Sequence, residues 1–213
     1  MKKFLIIGMG EFGKHLAYKL KDLHHEVCVV DIQKETINEL VNDFANAYVC
    51  NGMLEMNLKD LGVKNYDACI VSVGKNFQAS LEITYKLKEA KAKYIISKAT
   101  SENQAKFLKM AGANETVYPE KDIAEKIAMR CSANNLLDYI NIANGYNIFE
   151  FKIKPSWVGK SLKNLNLRNK YGINIIAVMS ATGVVLPNAD YTFSENDSVY
   201  VIAKENVMQK ITK

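Results

Sequence analysis

The chain has 213 residues, 48% of them apolar and 24% charged, with only three prolines. That composition suits one generous domain or two small ones around a buried core, and it excludes disordered, collagen-like and low-complexity chains. Its 28 basic and 23 acidic residues leave a formal charge of +5 with no run of five like charges, which argues against a nucleic-acid groove.

Apolar runs such as 4–7 and 173–179 fall far short of the ~20 residues of a membrane-crossing helix. A strand pattern begins by Phe4 and leaves no room for an export signal, so a cytosolic chain is expected. Cys28, Cys50, Cys69 and Cys131 form no CxxC pair. Core packing in a reducing compartment is the simpler reading, and redox or metal chemistry the alternative.

Over the first ~130 residues, strand and helix patterns alternate. Strands are expected at 3–7, 27–31, 47–50, 69–73, 94–98 and 116–118. The first, second and fourth are continuous apolar runs, the mark of strands covered on both faces. Phe12, Leu16, Leu20 and Leu23 recur at helical spacing, as do Ile37, Leu40, Val41 and Phe44, then Ala79, Ile83, Leu87 and Ala90, and more briefly Phe107, Leu108 and Ala111. The pattern predicts an α/β fold: a Rossmann-like, doubly wound parallel sheet of order 3-2-1-4-5-6 over residues 1–119.

From Pro119 the register changes. Ile123, Ile127 and Cys131 mark a helix, interrupted by Ser132–Asn135 and resumed by Leu136, Leu137 and Ile140, so residues 120–143 read as a helical connector. Its apolar residues either pack on its own domain or meet a second subunit. Beyond the Asn144-Gly145 turn signal, strands are expected at 148–153, 173–179, 184–186 and 198–202, with a short helix at 162–170 and another at 205–211. Residues 144–213 thus form a second, smaller α+β domain. Residues 141–213 carry nine basic and five acidic side chains, which suits a small anionic ligand.

Gly8-Met9-Gly10-Glu11-Phe12-Gly13 is a G-x-G-x-x-G that follows a strand, opens a helix and precedes Asp31 by 18 residues. In that setting Gly8 permits the turn, Gly10 admits a pyrophosphate and Gly13 lets helix and strand approach, while the helix N-terminus offers N–H groups to the phosphates. Asp31 accepts from ribose hydroxyls and disfavours a 2′-phosphate, with Phe12 and Ile32 beside these residues. Glu11 suits the helix dipole but repels a polyanionic tail, so it either shares a cation with the ligand or pairs with a neighbouring lysine. Asn51, Gly52 and Met53 follow the third strand, Gly74 and Asn76 the fourth, and Lys98 ends the fifth, all at the sheet edge where ligands bind. Turn chemistry alone also explains Gly52 and Asn76, and a solvated position Lys98.

Catalytic groups are scarce. His15, His24 and His25 lie in or just after the first helix, far from the role of an acid or base facing a nicotinamide. Tyr94 and Lys98 spell YxxxK with Ser80 upstream, but on a strand they stand ~13 Å apart instead of sharing a helix face. A non-enzymatic nucleotide sensor is therefore expected, with a small NAD-dependent oxidoreductase as the alternative.

The segments FLIIGMGEFG (4–13), VCVVD (27–31), DACIVSVGKNFQAS (67–80), SKA (97–99), GANETVYPEKDIAEKIA (112–128) and LRNKYGINII (167–176) together resemble the TrkA/KtrA-type regulatory subunits of bacterial potassium uptake, with RCK N- and C-terminal domains, most of all the KtrA branch. The resemblance spans nearly the whole chain. It implies a homo-oligomer of dimers in an octameric ring, held at the cytoplasmic face of the membrane by a KtrB- or TrkH-like potassium-translocating subunit. The ring would answer to ATP/ADP or NAD/NADH bound by the residues above. The resemblance further implies that Glu120 approaches a divalent cation near the phosphates across a dimer interface. It also implies that Arg168, Asn174 and Ile175 lie where some members bind cyclic di-AMP between two C-terminal domains. A solvated Arg168 and a core Ile175 are the plainer reading of those residues. Members that answer to ATP commonly carry arginine where this chain has Glu11.

Overall fold

Six parallel strands, β1 (Lys3–Ile7), β2 (Glu26–Asp31), β3 (Asn46–Val49), β4 (Ala68–Val71), β5 (Ile95–Lys98) and β6 (Glu115–Val117), build the first sheet in the order β3-β2-β1-β4-β5-β6. The computed structural model describes residues 1–53, 55–74, 76–132, 135–204, 206 and 207. Strand alternation sorts the apolar runs into two cores. Leu5, Ile7, Cys28, Val30, Cys69 and Val71 face one side, and Ile6, Val27, Val29, Ala68 and Ile70 face the other. The order and both-face burial are those expected from the sequence.

The crossovers are α1 (Glu11–Asp22), α2 (Lys34–Leu40), α3 (Glu55–Asp60), α4 (Phe77–Glu89) and α5 (Glu102–Ala111). Asn76 caps α4 by accepting the Ala79 N–H at 3.0 Å, and Ser101 caps α5 by accepting from Gln104 at 3.2 Å. These caps fix where each helix leaves the carboxyl edge of the sheet.

The chain divides into two units, Met1–Glu120 and Lys121–Lys213, and passes from one to the other inside α6 (Pro119–Ser132). The second unit holds an antiparallel sheet of β7 (Leu136–Ala143), β8 (Tyr146–Lys152), β9 (Asn174–Ser180), β10 (Gly183–Val185) and β11 (Ser198–Lys204), ordered β10-β9-β11-β8-β7. Its core gathers Phe149, Phe151, Trp157, Phe193, Val199 and Val201.

The expected helical connector over 120–143 needs correction: it is helical to Ser132, but residues 136–143 form β7. Asn144 and Gly145 adopt φ of 53° and 76°, the left-handed pair of a two-residue hairpin, and that turn commits both flanks to strands. The expected helix at 162–170 is two short ones, α7 (Leu162–Leu165) and α8 (Leu167–Tyr171), separated by Asn166 at φ 49°. The helix expected at 205–211 lies almost wholly outside the described residues. No described helix is long and apolar enough to cross a membrane.

Candidate functional site

At the carboxyl ends of β1, β2 and β4 a cavity of about 650 Å³ opens, the position at which open α/β sheets take ligands. Its wall includes Gly8, Gly10, Glu11, Phe12, Asp31, Ile32, Asn51, Gly52, Met53, Gly74, Asn76, Lys98 and Glu120. Each N-terminal residue expected to touch a nucleotide is therefore there, apart from Gly13, which lies behind the loop.

The three loop glycines have different causes. Gly8 sits at φ +97°, and an added Cβ would stand 2.9 Å from the Ser72 carbonyl carbon. At Gly13 it would stand 2.2 Å from the Gly8 carbonyl oxygen, so the fold itself requires glycine at both. At Gly10 it would meet nothing within 4 Å. The protein alone does not require glycine there, whereas an occupant pressed against the backbone would. Gly10 is also the N-cap of α1 and supplies no side-chain cap, which leaves first-turn N–H groups to a ligand.

Asp31 is half-buried, and its carboxylate organises the site. Oδ2 accepts the Met9 N–H at 2.6 Å and Oδ1 the Gln33 N–H at 2.9 Å. A carboxylate has about four lone-pair directions, so two remain for a ligand's donors. Asn51 Oδ1 accepts the Met53 N–H at 3.0 Å, and Lys86 Nζ donates to the Met53 carbonyl. An added Cβ on Gly52 would come within 3.0 Å of Ile7 and 3.2 Å of Ile83. Turn chemistry and wall position thus coincide at Asn51, Gly52 and Asn76.

Lys98 is not a solvated end. Its side chain is 14% exposed, Nζ donates to Glu120 Oε1 at 2.7 Å, and it lies 5.6 Å from the centre of the Phe12 ring. The lysine's hydrogen bond holds the Glu120 carboxyl below the ordinary carboxylate value. Within this one chain, the Glu120 carboxylate is engaged by the Lys98 ammonium. Among the described residues, no group of three or more His, Cys, Asp or Glu is placed to hold a metal ion. Glu11 points to solvent, 92% exposed, with its Oε2 4.0 Å from His15 Nε2.

The YxxxK reading fails on geometry. Tyr94 donates to Glu115 at 3.2 Å while Lys98, at the other end of β5, donates to Glu120. Sequence reasoning missed Ser72, Thr36 and Thr100, which line the same cavity. The Ser72 hydroxyl is buried without a hydrogen-bond partner. Its place just beyond β4, on the ligand-binding edge, is the signal that could have found it.

In the second unit, Arg168 on α8 and Asn174 on β9 are exposed, whereas Ile175 is half-buried against the core. Arg168 and Asn174 are thus open to a ligand, and Ile175 serves the core as well.

Known proteins supply the comparison. The TrkA-N domain model matches residues 4–119 and the TrkA-C domain model residues 148–213. The Ktr system potassium uptake protein C of Bacillus subtilis (strain 168) is 33% identical over 213 residues, 100% of this chain and 96% of that protein. The Ktr system potassium uptake protein A of the same organism is 33% identical over 210 residues, 98% of this chain and 95% of the relative. Among solved structures, the GsuK RCK domain aligns with TM-score 0.70 at 18% identity, covering 99% of this chain and 47% of that one. The GsuK channel bound to NAD aligns with TM-score 0.72 at 16% identity, covering 100% and 39%. The chain therefore spans less than half of those channel proteins, and at such identity the likeness establishes the fold.

Proposed function

The chain belongs to the TrkA/Ktr family of regulatory proteins of potassium uptake, and we propose that it serves there as a nucleotide-sensing gate for a membrane-embedded potassium transporter. The observation that carries this reading is the cavity itself. In a chain matched end to end by Ktr proteins, the loop whose central glycine faces open space, Asp31 and Lys98 surround one cleft at the ligand edge of the sheet.

The occupant we propose is an adenine nucleotide, ADP, ATP or NAD(H), with its diphosphate at the start of α1 and its ribose at Asp31. GsuK, a related fold, has been solved with NAD and with ADP. Occupancy regulates only if two conformations bind the nucleotide differently. The reading is of a sensor and not a catalyst, because the polar groups of the cleft bind and orient, and Tyr94 and Lys98 are held apart.

The partner we propose is a KtrB-like potassium-translocating subunit, met at the inner face of the membrane by a homo-oligomeric ring of the octameric type. In support, no residue of α6 is fully buried, and Ile123 and Ile127, one turn apart, are 56% and 49% exposed. Such a stripe suits a second copy. For the second unit we propose cyclic di-AMP, on the strength of the basic balance and the exposed Arg168 and Asn174; arginine suits its phosphates.

The test is calorimetric titration of the full chain with ADP, ATP and NADH, paired with potassium uptake in cells lacking their own system. Saturable binding that is lost in Gly10→Val together with regulated uptake supports the reading. Regulated uptake unaltered by Gly10→Val and Asp31→Ala overturns it.

A further inference from the structure

Lys98 is the one basic side chain among the described residues that line the cavity, and Glu11, Asp31 and Glu120 are its acidic ones. Its ammonium is already engaged by Glu120 at 2.7 Å. The two partners are unequal: the lysine is 14% exposed, whereas Glu120 is 59% exposed. The half-buried lysine stands at the end of β5 over the Phe12 ring, and the more exposed carboxylate is the member with room to swing away. Glu120 is the second residue of α6, the helix that leads the chain out of its first unit.

We propose that Glu120 is a built-in competitor for Lys98, holding the place on the ammonium that a nucleotide phosphate oxygen takes. The inference rests on the nucleotide reading above. An ammonium has three donors, but a phosphate drawn to it meets the Glu120 carboxylate, and like charges at one site repel. Binding therefore favours release of Glu120 and, with it, of the first turn of α6. Coupling of this kind is reciprocal: whatever holds Glu120 on Lys98 weakens the nucleotide, and whatever draws α6 away strengthens it. Lys98 thereby converts the filling of a cleft at the end of one sheet into freedom of the helix that follows β6.

The experiment is a double-mutant cycle on the full chain, with ADP as the probe. Glu120→Gln should bind ADP more tightly, by roughly three- to tenfold, the scale of one charge-assisted hydrogen bond at a partly exposed site. Lys98→Met should bind it more weakly. In the Lys98→Met background the gain from Glu120→Gln should vanish, because the competition needs the lysine. Hydrogen exchange over 119–124 should rise when ADP binds the parent, and should already be raised in ADP-free Glu120→Gln. Equal ADP affinity of parent and Glu120→Gln overturns the competition and leaves the nucleotide site standing. So does a gain that persists without Lys98, since it would be a general effect of charge. Absence of ADP binding in every variant overturns the site and the competition together.

Discussion

Asp31, at the end of β2, accepts the backbone N–H of Met9 at 2.6 Å, tying the second strand to the loop that leaves the first. The acidic residue expected to meet the ligand thus also sets the shape of the loop that meets it. Asp31→Ala should remove both roles. We expect a loss of about 1–3 kcal/mol in stability, the range for a charged hydrogen-bond partner, together with loss of nucleotide binding. Thermal unfolding and ADP titration on one preparation check this; unchanged melting would show that the loop holds its shape without the carboxylate.

Gly10 and Gly13 should separate folding from binding. A Cβ at residue 13 would collide with the Gly8 carbonyl oxygen, a backbone atom with nowhere to go, whereas residue 10 has open space. Gly13→Ala should therefore destabilise by roughly 3 kcal/mol or more. Gly10→Ala, at φ −68°, should stay within about 1 kcal/mol of the parent and still weaken ADP. Chemical denaturation and calorimetry give the two readouts.

Acid should dissolve the Lys98–Glu120 pair. The lysine holds the Glu120 carboxyl below its ordinary 4.5. Because the folded value is the lower one, the pair's stabilisation is present above the unfolded value and disappears as pH falls through the folded one. The difference in melting temperature between parent and Glu120→Gln should accordingly be steady from neutrality to about pH 5 and shrink below it. A difference that widens on acidification would contradict the assignment.

The exposed stripe on α6 predicts an assembly defect without a folding defect. Ile123→Asp with Ile127→Asp places two charges on exposed positions, so the circular dichroism and the ADP affinity should stay those of the parent. Sedimentation velocity should show a shift to smaller species. An unchanged sedimentation profile would place the contact between copies elsewhere.

The parallel sheet was legible because its strands are short, the first, second and fourth of them carry continuous apolar runs, and helical periods separate them. The glycine loop and Asp31 were legible because their spacing carries its own geometry. The segment from Leu136 to Ile140 was not: its apolar spacing suits a helix, but the Asn144-Gly145 turn next to it admits only a hairpin, and the turn prevails. The Lys98–Glu120 pair joins residues 22 apart through the meeting of a strand end with a helix start, which no local pattern encodes. Ser72 was hidden because a buried hydroxyl looks like any small residue until its lack of a partner is seen.

In the second sheet the last strand to be made, β11, lies in the middle, paired with β8 on one side and β9 on the other. A growing chain on the ribosome can complete its first unit early, but the second has no centre until residues 198–204 emerge. Synthesis therefore delivers a finished first-unit cleft ahead of a waiting hairpin, and any stall before that final strand leaves β8 and β9 with open edges toward other chains.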